Sequence, residues 1–213
     1  MKAMPGPLFM RRATCEDLDT LTRWRVESAA RIAERERRLG LPSTGQWATP
    51  YDVWKLQRWI ERRVTWMALA DANPSASPVA TVTLDSEPEP AILLADGGYA
   101  PLWSEAELSV PAWYMSKLNS PMLRGAGELL TRWCQGQAAR EGAHVLRIDV
   151  WTGFWPRVAD RQNLPLRQWY ESLGFRYVRT VPDVVSGCLM EIDAVEVPGV
   201  DREVAMLCDT TEQ

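Results

Sequence analysis

The sequence predicts a mixed α/β domain with a central sheet flanked by helices. Three observations carry this. In the second half, strand-like runs at Trp113 to Asn119 and Val145 to Trp151 alternate with helical runs at Gly127 to Glu141 and Leu164 to Leu173. In the first half, Thr65 to Ala70 and Val79 to Leu84 flank the polar stretch Asp71 to Pro78, which predicts an antiparallel pair. The length, 213 residues, suits one domain with a sizeable core.

Taken in chain order, Leu8 to Arg12 is a first strand. Thr14 followed by Asp17 has the spacing of a capping box, so a helix should start there. Leu18, Leu21, Trp24, Ala29, Ile32 and Ala33 continue it at helical spacing. Gly40 and Pro42 should end it. A second helix is read over Tyr51 to Arg62, with Trp54 and Ile60 toward the core. Residues 86 to 110 read as a long excursion with a short helix near Trp103 to Leu108. Gly142 is placed to cap the helix that starts at Gly127. Asn163 can N-cap the helix that follows it, with Pro165 tolerated in its first turn. Phe175 to Thr180 and Cys188 to Ile192 are the last strands. The tail from Asp193 is acidic and weakly patterned.

Composition narrows the chemistry. Hydrophobic residues make up 46% and charged residues 24%, which is ordinary for a soluble globular protein. A net charge of −4 disfavours nucleic-acid binding. No apolar run approaches the roughly 20 residues that span a bilayer, and MKAMPGPLFMRR lacks a signal-peptide core. The expectation is therefore a cytoplasmic protein with no membrane or nucleic-acid partner. The four cysteines, Cys15, Cys134, Cys188 and Cys208, have no C-x-x-C spacing and read as free thiols. His144 is the only histidine, so neither a usual zinc site nor a Ser-His-Asp triad is expected. The chemistry is left to tyrosine, backbone amides and carboxylates.

The strand ending at Asn119 leads through Arg124-Gly125-Ala126-Gly127 into a helix N-terminus. Glycines there let the chain turn tightly and let a phosphate approach exposed N–H groups. An ordinary tight turn has the same sequence. Asp149 puts a carboxylate inside an apolar strand, where it must be hydrogen-bonded or perturbed if buried. It is a base, an acceptor anchor or a structural group. The eleven tryptophans form core and pocket wall, or line an acceptor cleft.

Residues 113 to 180 resemble the core of the GNAT superfamily of N-acetyltransferases, especially its actinobacterial members. The resemblance rests on Leu129-Leu130-Thr131-Arg132-Trp133, Arg147-Ile148-Asp149-Val150-Trp151, Asn163 with Leu166 and Tyr170, and Gly174-Phe175. It extends to the N-terminal helix pair, Gly45-Gln46-Trp47 and Ala80 to Asp85. It implies a single domain over 1–213, with an acceptor-side half (1–112), a donor-binding core (113–192) and a tail (193–213). It also implies a mostly antiparallel mixed sheet, splayed after Asn119 at the donor site.

The function so implied is acyl transfer from a pantetheine thioester, acetyl-CoA or another acyl-CoA, to a small-molecule amine by direct attack, with no metal. Leu118, Asn119 and Ser120 would offer backbone groups to the donor. Arg124, Gly125, Ala126 and Gly127 would cradle its pyrophosphate. Asn163 would bond the pantetheine or only cap its helix. Tyr170 would be the general acid or a core aromatic; a phenol with pKa near 10 is protonated at neutral pH and can protonate a leaving thiolate. Gln46, Trp47, Trp151 and Trp155 would border the acceptor, with loop packing the alternative at Gln46 and Trp47. The protein would be a monomer or a homodimer.

Two features depart from the family pattern. Met122 stands where the family's loop opens on Gln or Arg, the segment from Leu118 to Gly125 is short, and Glu128 sets a negative charge beside the expected pyrophosphate. These imply a weak grip on free CoA. A specialised-metabolism enzyme with a donor tethered to an acyl carrier protein is the alternative, and a non-catalytic module of the same fold is another. Second, Thr152 to Gln162 is an insertion beside the expected reaction centre. It carries Trp155, Arg157 and Arg161 and is expected to line the acceptor side.

Overall fold

The computed structural model describes residues 6–38, 51–88, 92–93, 99–151, 164–181 and 186–207. The fold is α/β, with an open mixed sheet of eight strands flanked by helices. The chain divides into two compact units. One comprises Met1–Leu84, Lys117–Leu130 and Pro198–Gln213, and the other Asp85–Ser116 and Thr131–Val197.

In the first unit, β1 (Leu8–Arg12) pairs antiparallel with β2 (Thr65–Leu69), and β2 with β3 (Pro78–Asp85). Thr14 and Asp17 form the expected capping box, but a short 3-10 turn, Cys15–Asp17, precedes α1 (Leu18–Arg38). Asp17 also takes a bidentate pair from Arg11, at 2.6 and 2.9 Å, which joins β1 to the start of α1. In α2 (Tyr51–Glu61), Leu56 and Ile60 are buried one turn apart. They join Ala13, Leu21, Trp24 and Met67 in one apolar cluster, against which Trp59 packs. Trp54 is 47% exposed, contrary to expectation. The reason is helical geometry: at about 100° per residue, Trp54 and Ile60 lie some 120° apart and cannot share a face.

The tail holds structure that its weak pattern hid. A turn of helix, α6 (Val200–Glu203), leads into β10 (Val204–Met206), which pairs parallel with β1 through Leu8↔Val204 to Met10↔Met206. Val200 and Val204 are buried and hold it there.

In the second unit the strand order is β6 (Ala112–Asn119, the part up to Ser116 lying in this unit), β7 (Val145–Trp151), β9 (Ser186–Asp193) and β8 (Arg176–Thr180). The pairing of β6 with β7 is parallel, and β9 is antiparallel to both its neighbours. The β6–β7 ladder ends at Tyr114↔Arg147. The helix α4 (Ala126–Arg140) ends on Gly142, as expected. Gly142 has φ +79°, and the N–H groups of Gly142 and Ala143 close on the carbonyls of Ala139 and Ala138, both at 3.0 Å, the two bonds of a Schellman motif.

The excursion before β6 is anchored. It contains the two-residue strands β4 (Ile92–Leu93) and β5 (Tyr99–Ala100), paired antiparallel, and the one-turn helix α3 (Glu105–Leu108) capped by Ser104. Leu102 and Trp103 pack on Leu189. Arg179 clamps the Glu107 carboxylate at 2.8 Å on both oxygens, and its Nη2 also donates to Leu102 O at 2.8 Å.

The hydrogen bonds from Arg179, with further ones from Ser104, hold the Glu107 pKa down at about 2 against the opposing effect of burial. A carboxyl whose folded pKa is depressed adds stability that is complete above its unfolded value, about 4.3, and is lost as pH falls through the folded value. Glu107→Gln should therefore flatten the acid limb of a denaturant-midpoint profile between those two values. A wild-type and variant profile of equal slope there would refute the assignment.

Candidate functional site

The turn into α4 is built by alternating burial. Leu123 and Ala126 are buried, while Met122, Arg124 and Gly125 are exposed. Gly125 has φ +88°, a conformation open to glycine and strained for other residues. Leu129 N–H closes the first helical bond onto Gly125 O at 3.1 Å. The amides of Ala126, Gly127 and Glu128 thus form the first turn at the positive end of a four-turn helix, where an anion is favoured. Glu128 is exposed in that turn and Met122 is 58% exposed. The Glu128 carboxylate is therefore at the surface of the turn.

The end of β6 is bent. Lys117 has φ +52°, a left-handed conformation inside a strand and without glycine. Two residues on, Asn119 Nδ2 donates to Ser28 Oγ at 3.1 Å and to Trp24 O at 3.4 Å. The side chain of Asn119 is thereby committed to α1, and a role for Leu118, Asn119 and Ser120 toward a ligand falls to their backbone. Nothing in the sequence marks Lys117: the lysine lies in a run that reads as regular strand.

Tyr170 lies in the second unit, on α5 (Leu164–Ser172). It is buried, its ring edge-on to Trp169 at 4.7 Å and to Phe175 at 5.3 Å between centroids. Gly174, at φ +97°, turns the chain so that Phe175 N–H returns to Tyr170 O at 3.1 Å. A Cβ on Gly174 would come within 3.2 Å of Ile192 Cδ1, so the turn is also tight. Burial first, then the charge of Asp149 and the proximity of Cys134, push the Tyr170 pKa well above the usual phenol value. The phenol keeps its proton at any working pH. Cys134, fully buried on α4, has its thiol pushed up by burial too, which suppresses thiolate chemistry.

Asp149 is half-buried on β7, opposite Leu189 of β9 and on the same face as Arg147. That face is crowded by Arg147, which is 2% exposed. Its guanidinium lies 4.7 Å from the Trp103 ring centroid and donates to Glu107 O at 2.7 Å, Glu191 at 3.2 Å and Tyr114 OH at 3.3 Å. Arg147 of the sequence motif is thus spent on structure. Gln46, Trp47, Trp155, Asn163 and the insertion Thr152 to Gln162 lie outside the described residues, as does the side chain of Trp151. Among the described residues no group of three or more His, Cys, Asp or Glu side chains could hold a metal ion. No helix among them is long and apolar enough to cross a membrane.

The chain has the fold of the GNAT-family acetyltransferases. A GNAT-family acetyltransferase from Listeria monocytogenes 4b F2365 superposes with a TM-score of 0.58 at 12% identity, covering 91% of this chain and 98% of that one. The protein yncA from Salmonella typhimurium, solved with its cofactor acetyl-CoA, gives 0.52 at 14% identity, over 89% and 95% of the two chains. A ribosomal-protein-alanine N-acetyltransferase from Brucella melitensis gives 0.52 at 16% identity, over 86% and 98%. No protein-family model and no curated protein matches the sequence.

Proposed function

We propose that the protein transfers an acyl group from a pantetheine thioester to an amine. The observation that carries this reading is the strand–turn–helix of Ala112 to Arg140, with left-handed Gly125 at the mouth of α4, in the fold of GNAT acetyltransferases. In this reading the first-turn amides of Ala126, Gly127 and Glu128 hold the donor's diphosphate, and the β6 backbone at Leu118 to Ser120 holds its pantetheine arm. The acceptor is a small-molecule amine; Gln46, Trp47, Trp151 and Trp155 are assigned to its side, and Asn163 to the pantetheine. The amine nitrogen attacks the thioester carbon, the C–S bond breaks, and the Tyr170 phenol hydrogen-bonds and then protonates the leaving sulfur. The amine's own proton leaves to water, and the Tyr170 phenol regains one from water.

The high pKa of Tyr170 shapes this step. A thiol has a pKa of about 8.5, so handing a proton from this harder phenol to the sulfur is uphill even after the C–S bond has broken. Tyr170 therefore works chiefly as a hydrogen-bond donor to the charge developing on sulfur, and its proton crosses for good only as the phenol regains one from water.

Exposed Glu128 and Met122 favour a second donor, a thioester tethered to an acyl carrier protein, which needs less of the diphosphate cradle. Calorimetry with acetyl-CoA tests both donors. The expected dissociation constant is above about 100 μM, near −5.5 kcal/mol or weaker, and Glu128→Gln should tighten it. Low-micromolar affinity in the wild type would remove the reason for a tethered donor. No transfer from either donor to any of a panel of amines would overturn the enzyme reading in favour of a binding module.

A further inference from the structure

We infer that Asn119 and Lys117 are positioning residues, through which α1 and α2 set the backbone geometry of the end of β6. The inference rests on the donor reading above and deepens it. A lysine at φ +52° inside a strand is a conformation that the surroundings must hold, since relaxed strand backbone is available to it. Two side-chain contacts supply the hold, one on each helix. Lys117 Nζ lies 5.0 Å from the centroid of the Trp59 ring on α2, within the range of a cation–π attraction. Asn119 Nδ2 donates to Ser28 Oγ and Trp24 O on α1, at 3.1 and 3.4 Å.

The anchors are themselves fixed. Trp24 is 4% exposed, and Trp59 packs against the cluster that holds Trp24, Leu21, Leu56 and Ile60. The bend is thus tied to a packed core on both sides of Leu118, the residue whose backbone the donor reading uses. Donor affinity should therefore depend on α1 and α2 side chains that touch no donor. Acceptor-side changes that shift either helix will alter the donor-binding strand through these same two contacts.

The test uses Ser28→Ala and Trp59→Leu, read by amide hydrogen exchange at Lys117 to Ser120 and by acetyl-CoA calorimetry. Exchange there should quicken roughly fivefold in each variant without ligand, as loss of one ordinary interaction predicts. Acetyl-CoA affinity should weaken by a similar factor. Ser28→Thr should restore both, because it keeps the hydroxyl. In a Lys117→Gly background, which accepts the bend without strain, Trp59→Leu should add nothing further.

Exchange at Lys117 to Ser120 that matches wild type would overturn the inference. So would faster exchange spread across the chain in proportion to lost stability, the mark of a merely structural role. A wild type that acetyl-CoA at about 10 mM, 100-fold above a dissociation constant of about 100 μM, neither stabilises nor protects at Leu118 to Ser120 would overturn the donor reading. The exchange rates of the unliganded variants then still decide whether the helices hold the bend.

Discussion

Tyr170→Phe is expected to lower turnover by roughly 100-fold or more, with acetyl-CoA affinity nearly unchanged. The substitution removes one oxygen and keeps the ring that packs between Trp169 and Phe175. Its cost should therefore fall on the chemical step rather than on the fold. The pH profile separates this role from others. Burial, Asp149 and Cys134 drive the phenol's pKa far up, so Tyr170 should impose no alkaline decline below pH about 10. A basic limb at lower pH belongs to another group and should persist in Tyr170→Phe. Asp149→Asn removes the neighbouring negative charge and should lower the Tyr170 pKa, which ultraviolet titration of the phenol reads directly. Single-turnover rates that match the wild type in Tyr170→Phe would leave Tyr170 as a core aromatic.

What could be read in the sequence was local. The capping box at Thr14 and Asp17, the αL stop at Gly142 and the turn at Gly125 each depend on a few adjacent residues, and all three form. Long, periodic α4 was legible for the same reason. What was missed in the tail and in the excursion originates in contacts distant along the chain. Three residues, Val204 to Met206, make a strand only because β1 offers an edge to them. The excursion before β6 has the short helix read near Trp103 to Leu108, but its anchors, Arg147 and Arg179, lie far downstream and were not legible. Trp54 was assigned inward on hydrophobicity, against its own helical phase. At the candidate site, Gly125 and Tyr170 were legible as residue types in order. The raised pKa of Tyr170 and the bend at Lys117 were not, since both arise from packing between separate elements.

Arg147→Met is expected to destabilise the fold by about 3 kcal/mol, the range for removing one member of a buried charged pair. At 2–4 °C per kcal/mol for a chain of this size, Tm should fall by roughly 6–12 °C. Arg147 lies on β7, and four groups converge on it. It takes the Glu191 carboxylate of β9, the Tyr114 hydroxyl of β6 and the Glu107 carbonyl of α3, and it stacks under Trp103. Methionine fills much of the volume and keeps the apolar contact with Trp103, but it satisfies none of the three acceptors. Glu191 is 17% exposed and keeps Arg176, which restrains the loss toward the lower end of the range. The Glu107 carbonyl and the Tyr114 hydroxyl have no such substitute from Arg147's position, and each buried polar group left unmatched adds to the cost. Arg147→Lys should rescue little, because a single ammonium cannot reproduce a planar fork that reaches three partners while stacking on a ring. Arg176→Met is the control: that side chain is 51% exposed, and its ion pairs with Glu191 and Asp193 should contribute no more than about 1 kcal/mol together. Equal losses for Arg147→Met and Arg176→Met would mean that Arg147 is another surface charge. A large loss for Arg147 alone would make it the tie that holds the excursion to the sheet.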